Sequence, residues 1–134
     1  MKEYSKASIG KKGERLAARF LRRAGYRVVA RNRHFGKNEL DLVVKDKAYL
    51  VFVEVKTRTA DSPSAFTARP AEAVDREKRA RTADAARAYL KENPSPLCPR
   101  FDVIEVYLDR AKRLRLLKLN HIIDAFSVGG KPRH

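Results

Sequence analysis

A three-layer α/β domain built on a mixed sheet is what this sequence predicts, and three observations lead there. Apolar periodicity gives the order helix, three strands, long helix, two strands, short helix. Short polar links between successive strands imply hairpins, which an all-parallel sheet does not contain. The run Tyr49-Leu50-Val51-Phe52-Val53 is apolar on both alternating faces, as in a strand covered from both sides. Together they place a central mixed sheet of about five strands between two helical layers.

Residues 11–24 predict the first helix. Leu16, Ala17, Phe20, Leu21 and Ala24 recur at helical spacing, and Gly25 stands where a glycine ends a helix. Residues 26–31 follow as a strand, and residues 39–45 and 48–57 as two more, linked around Lys45-Asp46-Lys47. If residues 47 and 48 form a two-residue loop, Asp41 lies opposite Glu54. If residues 46 and 47 form it, Asp41 lies opposite Phe52. In either register Asp41 and Glu54 share a face.

Residues 58–69 read as a polar loop, and Pro70 suits the first turn of a long helix reaching Lys91. Asn93-Pro94-Ser95-Pro96 ends that helix. Residues 101–108 and 114–119 complete the sheet, and residues 121–126 predict a short last helix. Residues 1–126 thus form a single domain, with 127–134 as a flexible tail.

The net charge of +15 favours a polyanionic partner. Residues 1–40 hold 12 lysines and arginines against 3 acids, so the excess is concentrated in one third of the chain. A solvated, solubilising surface is the structural alternative. One cysteine, Cys98, excludes an internal disulfide and fits a reducing compartment. With no apolar leader and no run long enough to span a bilayer, the expected location is cytoplasmic, away from membranes.

Chemistry is concentrated in the strand of residues 48–57. Period-two alternation points Glu54 and Lys56 the same way, and a carboxylate in an apolar strand is costly unless paired or bound to metal. Asp41 offers a second acid on the neighbouring strand. Two carboxylates suffice for Mg²⁺ or Mn²⁺, which prefers oxygen ligands and keeps several waters, and the Val55 carbonyl adds a neutral oxygen. Lys56 beside such an ion stabilises a pentacovalent phosphate or, when neutral, deprotonates water.

The alternative is an ion pair of Glu54 with Lys56 or an arginine. Glu14, placed in the first helical turn, has a sufficient structural reason in the helix dipole and a functional one as a further acid at the metal. Lys11, Lys12, Arg15, Arg58 and Lys78 are the candidates for nucleic-acid backbone contacts. The three histidines have no metal-ligand spacing.

Asp41 followed by Glu54-Val55-Lys56 resembles the signature of PD-(D/E)xK nucleases. Longer blocks resemble the bacterial YraN-like family: Gly13-Glu14-Arg15-Leu16-Ala17-Ala18, Glu39-Leu40-Asp41-Leu42, residues 51–58, Pro70-Ala71-Glu72-Ala73-Val74-Asp75, Arg100-Phe101-Asp102-Val103 and His121-Ile122-Ile123-Asp124-Ala125-Phe126. The resemblance implies a restriction-endonuclease-like fold akin to archaeal Holliday junction resolvases, with Glu14, Asp41, Glu54 and Lys56 as the site. It implies a Mg²⁺- or Mn²⁺-dependent endonuclease acting on DNA, including branched or junction DNA, and allows a homodimer.

Asn38 departs from the glycine usual in the family. Asn is the next best residue if that position needs a positive φ. The segment Phe66-Thr67-Ala68-Arg69 lacks the usual Gly-Ser. Two other readings compete with the nuclease: a nucleic-acid-binding module of the same fold without turnover, and a membrane-surface or protein-interaction domain. The last needs a basic amphipathic helix with bulky aromatics, and residues 11–24 supply only Phe20.

Overall fold

A computed structural model describes residues 3–60 and 76–126. Among the described residues the elements are α1 (Lys6–Arg23), β1 (Arg27–Phe35), β2 (Asn38–Lys45), β3 (Tyr49–Ala60), α2 (Arg76–Glu92), β4 (Cys98–Asp109) and β5 (Arg115–Ile122), with a 3-10 turn at Arg110–Lys112. The five strands lie in chain order across one sheet. Three neighbouring pairs are antiparallel, and β3 with β4 is parallel, so the sheet is mixed. That parallel pair needs a crossover connection, and α2 lies within it.

Each helix covers one face. Ile9, Ala17, Ala18 and Leu21 of α1 pack on Leu42, Val44, Val51, Val53, Ile104 and Val106. Ala85, Ala86 and Tyr89 of α2 pack on Leu40, Val43, Leu50, Phe52, Phe101 and Val103. The protein is therefore a three-layer α/β domain, with the central strands buried on both sides. Among the described residues no helix is long and apolar enough to cross a membrane.

Local chemistry explains the ends of the elements. The Ser5 hydroxyl accepts from the Ser8 N–H and caps α1, so the helix starts at Lys6, a turn and a half before residue 11. At its other end Tyr26 N–H bonds Leu21 C=O and Gly25 N–H bonds Arg22 C=O, with Gly25 at φ 100°. This is a Schellman closure, which the missing Cβ of glycine permits. In the β2–β3 hairpin, Asp46 Oδ1 accepts from the N–H groups of Ala48 (2.8 Å) and Tyr49 (2.7 Å). Those bonds make residues 47 and 48 the loop and set Lys45 opposite Leu50 and Leu42 opposite Val53.

The expected short helix at 121–126 is not formed. His121 and Ile122 instead extend β5, opposite Ile104 and Val103, and Asp124 turns the chain with φ 54°. The reason is Asp102, a buried acid on β4. Its carboxylate accepts two hydrogen bonds from Arg100 (2.9 and 2.8 Å), one from the Asp124 N–H (2.9 Å), and meets His121 Nε2 at 2.8 Å. Arg100 also donates to the Tyr26 hydroxyl (2.7 Å) and stacks over Tyr49. Burial alone would raise the Asp102 pKa, but the bonds from His121, Arg100 and Asp124 outweigh it and hold the acid below its usual range. A helix at this point would forfeit the Asp124 and His121 bonds.

Strands β1, β3 and β4 also run past the predicted segments, because cross-strand pairing holds polar residues such as Arg33 and Arg58 that periodicity alone leaves in loops. The expected start of α2 at Pro70, the 58–69 loop beyond residue 60 and the tail fall outside the described residues.

Asp102→Ala should strand Arg100 in the interior and unpair the Asp124 N–H. Urea unfolding should show a loss of about 3–5 kcal/mol. A loss below ~1 kcal/mol would mean that the network is not a stabilising one.

Candidate functional site

The site forms where β2 leaves β3. Pairing between the two strands runs from Lys45↔Leu50 to Leu42↔Val53, which in register sets Asp41 opposite Glu54. At Asp41 the chain rolls over. Leu40 packs on the α2 side and Leu42 on the α1 side, although a regular strand would put both on one face. Across the β1–β2 pair the matching residue, Asn32, has φ 48°. Asn tolerates this left-handed backbone better than other non-glycine residues. Asn38 is not among the positive-φ residues; in its turn the positive φ falls on Gly36.

With β2 diverging, the Val55 N–H bonds a side chain instead of a strand: Asp41 Oδ2 accepts it at 2.8 Å. Both main-chain groups of a strand residue point to one edge, so the Val55 carbonyl lies on the same side as Asp41. Glu14 reaches the same spot from α1. It lies in the middle of that helix, whose first turn holds no acid, so the expected first-turn placement and the dipole rationale for Glu14 do not apply. Gly13 lets the helix come this close. A Cβ there would overlap Thr57 Oγ1 on β3.

Ligand oxygens of Glu14, Glu39 and Asp41 all lie within 4.8 Å of one another. Glu39 is the member that the sequence reading missed as a site residue. Its signal was the i, i+2 spacing from Asp41 within Glu39-Leu40-Asp41. Crowding three acids has a measurable consequence. Burial first, and then the charges of Glu14, Glu39 and Glu54, push the Asp41 carboxyl from 3.8 to about 7, against the lowering effect of the Val55 N–H. Burial and Glu39 likewise raise Glu14, opposed by a hydrogen bond from Asn32 and the charge of Arg31.

Glu54 shares a cleft with Asp41, Glu39, Lys37, Lys78 and Arg81. It stands outside the group of three close carboxylates and is only 7% exposed. Its ion-pair partner is Lys78 on α2, with Nζ 2.6 Å from Oε1, rather than Lys56 or an arginine. Neither Glu54 oxygen receives a well-directed hydrogen bond from a described residue, so the contact is one of charge more than of aligned donor and acceptor. Lys56 follows two residues along β3. Its pKa is lowered, chiefly by burial and then by Lys78 and Arg58, while Glu54 and the buried Glu105 opposite it act the other way.

The remaining basic candidates are spread out. Arg58 is exposed farther along β3. Lys11, Lys12 and Arg15 line a different groove with Arg113, around α1 from Glu14, and Lys12 Nζ is 3.4 Å from the Arg113 carbonyl. A third groove holds Lys6, Glu14, Val55, Thr57 and Arg110, so Glu14 borders basic residues on the α1 side while Asp41 and Glu54 border them on the α2 side.

Residues 13–106 match the profile of the uncharacterised protein family UPF0102. A UPF0102 protein of Caldanaerobacter subterraneus is 42% identical over 127 residues, covering 94% of this chain and all of that protein. One from Chlorobaculum tepidum is 42% identical over 127 residues, 92% of this chain and 95% of the relative. Another, from Symbiobacterium thermophilum, is 45% identical over 109 residues, 80% and 88% of the two chains. The matched segment contains Glu14, Glu39, Asp41, Glu54 and Lys56.

Because the folded state raises the Asp41 pKa, it binds that proton more tightly than the unfolded chain. The resulting penalty is absent below pH 4, grows as pH rises, and is complete above pH 7. Asp41→Asn should therefore be more stable than the native chain at pH 8, by about 1–3 kcal/mol, and equally stable at pH 4. Thermal melts across pH check this, and an unchanged difference would refute the raised Asp41 pKa. Gly13→Ala should lower the melting temperature by several degrees, since α1 must lift from β3 and carry Glu14 away.

Proposed function

This chain belongs to the uncharacterised protein family UPF0102, and from its acid cluster we propose a metal-dependent endonuclease that hydrolyses DNA phosphodiesters. The observation that carries the reading is the convergence of Glu14, Glu39 and Asp41 at the edge of a cleft that also holds Glu54, with Lys56 next along the strand. Three carboxylates at this separation repel one another unless a proton or a cation lies among them. Burial first, and then the charges of the neighbouring acids, raise the Asp41 pKa, so the cluster favours a proton or a cation.

The donor set suits Mg²⁺ or Mn²⁺. It is all oxygen, and Asp41, Glu14, Glu39 and Glu54 are carboxylates at or beside one point, with the Val55 carbonyl on the same side. A divalent ion held there supplies Lewis acidity toward phosphate and lowers the pKa of water. Asp41 would hold the ion at the fork, kept in place by the Val55 N–H. Glu54 would approach from the α2 side and Glu14 from the α1 side.

Lys56 would face the phosphate beside the ion. Its lowered pKa brings proton exchange nearer to neutral pH, so it is suited to take a proton from attacking water, or as ammonium to offset charge on the phosphate oxygens. In hydrolysis water forms the new P–O bond, its proton goes to a base, and the sugar oxygen leaves with a proton.

Two further features support the reading. Asp41 with Glu54-Val55-Lys56 is similar to the PD-(D/E)xK signature, and a mixed sheet covered by a helix on each face is the frame which that resemblance implies. The +15 charge and the basic grooves on both sides of the acids suit a polyanion. A binder without turnover is the second reading, favoured by one observation: Lys78 already neutralises Glu54.

Incubation with linear, nicked, flap and four-way-junction DNA, in Mg²⁺, Mn²⁺ or EDTA, separates the two. Metal-dependent cleavage that Glu54→Ala or Asp41→Asn lowers by about 10²-fold or more is the expected result. Salt-sensitive binding without cleavage in either metal would leave the binder, and cleavage retained by Glu54→Ala would refute the site.

A further inference from the structure

Helix α1 carries a line of charge that the acid site does not use. Lys11, Arg15, Arg19 and Arg22 follow one another at steps of four, four and three residues, so they form one stripe along the helix. All four are exposed, on the side of α1 away from the buried Ile9, Gly13, Ala17 and Leu21. From Lys11 to Arg22 the stripe runs about 16 Å.

Structural reasons account for only part of it. Arg22 lies in the last turn, where the helix dipole favours a cation. Lys11, Arg15 and Arg19 lie farther in, and as like charges four residues apart they disfavour the helix. Among the described residues none of the four has an ion-pair partner, and Glu14 is the single acid of α1. Helix α2 is built otherwise: Arg81 meets Glu77 at 3.4 Å and Arg87 meets Asp84 at 2.8 Å on its own surface. A partner of opposite charge would offset the repulsion along α1.

We propose that the outer face of α1 is a second nucleic-acid surface, a track for the phosphate backbone of duplex DNA away from the phosphate at the acids. This rests on nucleic acid being the substrate, and not on turnover. A run of about five phosphates of one duplex strand covers the length of the stripe. A groove beside it adds charge, with Lys11, Lys12 and Arg15 on one wall and Arg113, in the turn before β5, on the other. Arg113 and Leu114 both have left-handed backbones (φ 55° and 59°), and the buried Leu114 side chain holds that turn in the core. Glu14 faces a different groove, so the track supplies grip and takes no part in hydrolysis. An anionic membrane fits the helix less well, because its apolar side is already packed on the sheet.

The test measures binding to a short DNA duplex in EDTA over a range of salt. Arg15→Gln with Arg19→Gln should lose about ten-fold or more in affinity at low salt, with a salt slope shallower by about two contacts. Lys47→Gln with Lys91→Gln removes the same charge from the β2–β3 loop and the last turn of α2, and should bind as the native chain does. Arg15→Lys with Arg19→Lys keeps the charge and should recover most of the affinity. Equal losses in the two glutamine variants would reduce the effect to net charge, and no loss in either would place the DNA elsewhere. Both results overturn the track while nucleic acid stands as the substrate. A native chain that leaves the duplex unbound even at low salt would bring down both readings. Vesicles of phosphatidylserine and phosphatidylcholine form the last arm. Vesicle binding lost in the Arg15→Gln, Arg19→Gln chain, with duplex binding unchanged, would overturn the track in favour of a membrane surface.

Discussion

The site depends on a single main-chain event, the departure of β2 from β3 at Asp41. A strand that diverges leaves its neighbour's N–H groups without partners, and buried N–H groups do not go unpaired at small cost. Here the Asp41 carboxylate supplies the missing acceptor for Val55. The same fork opens the sheet enough for Glu14 to enter from α1, while the alternation of β3 turns Glu54 to the α2 side. The left-handed Asn32 opposite the fork, and Gly13 against Thr57, are the local concessions that make this geometry possible. Backbone shape therefore comes first, and the convergence of acids follows from it.

Two aspartates on central strands, Asp102 buried on β4 and Asp41 half-buried on β2, show how differently one fold treats charge. Asp102 on β4 is enclosed by an arginine, a histidine and a backbone N–H, which hold it ionised. It ties the end of β5 to the sheet and has the character of a structural centre. Asp41 is shielded from water, with one N–H and several like charges, and its pKa rises. Glu54 has a nearby ammonium but no well-directed hydrogen bond from the described residues. Each acid of the cluster has one partner rather than several: His34 for Glu39, Asn32 for Glu14 and the Val55 N–H for Asp41. The difference between Asp102 and Asp41 lies in their surroundings, for both are aspartates in apolar strands.

Family membership is secure, yet the family's description assigns it no activity. The chemical argument must therefore come from the site. Its strength is that the acids reach one point from separate elements: Glu14 from α1, Glu39 and Asp41 from β2. Shared ancestry explains why relatives carry similar residues. Only the geometry explains what a carboxylate from a helix and two from a diverging strand can do together.

Some of this was legible in the sequence because its cause is local. The glycine that closes α1 announces a left-handed residue by its composition. Strand alternation places Glu54 and Lys56 on one face of β3, and the apolar run around them requires cover on both sides. Those are near-neighbour rules, and they needed no partner. What failed to be legible has a common reason.

The start of α1 rested on a serine cap before a sparse apolar pattern, and misplacing it put Glu14 in the first turn. Residues 121–126 look helical in isolation, but Asp102, nineteen residues before His121, draws them into a strand and turn. Glu39 and Asp41 share the i, i+2 spacing but meet Glu14 only because α1 packs against the sheet, and Lys78 meets Glu54 across a sheet–helix interface. Sequence alone thus determined the layers and the chemical kinds of residue available. Tertiary structure decided which charges meet, because Coulomb energy depends on distances that contacts between remote segments set.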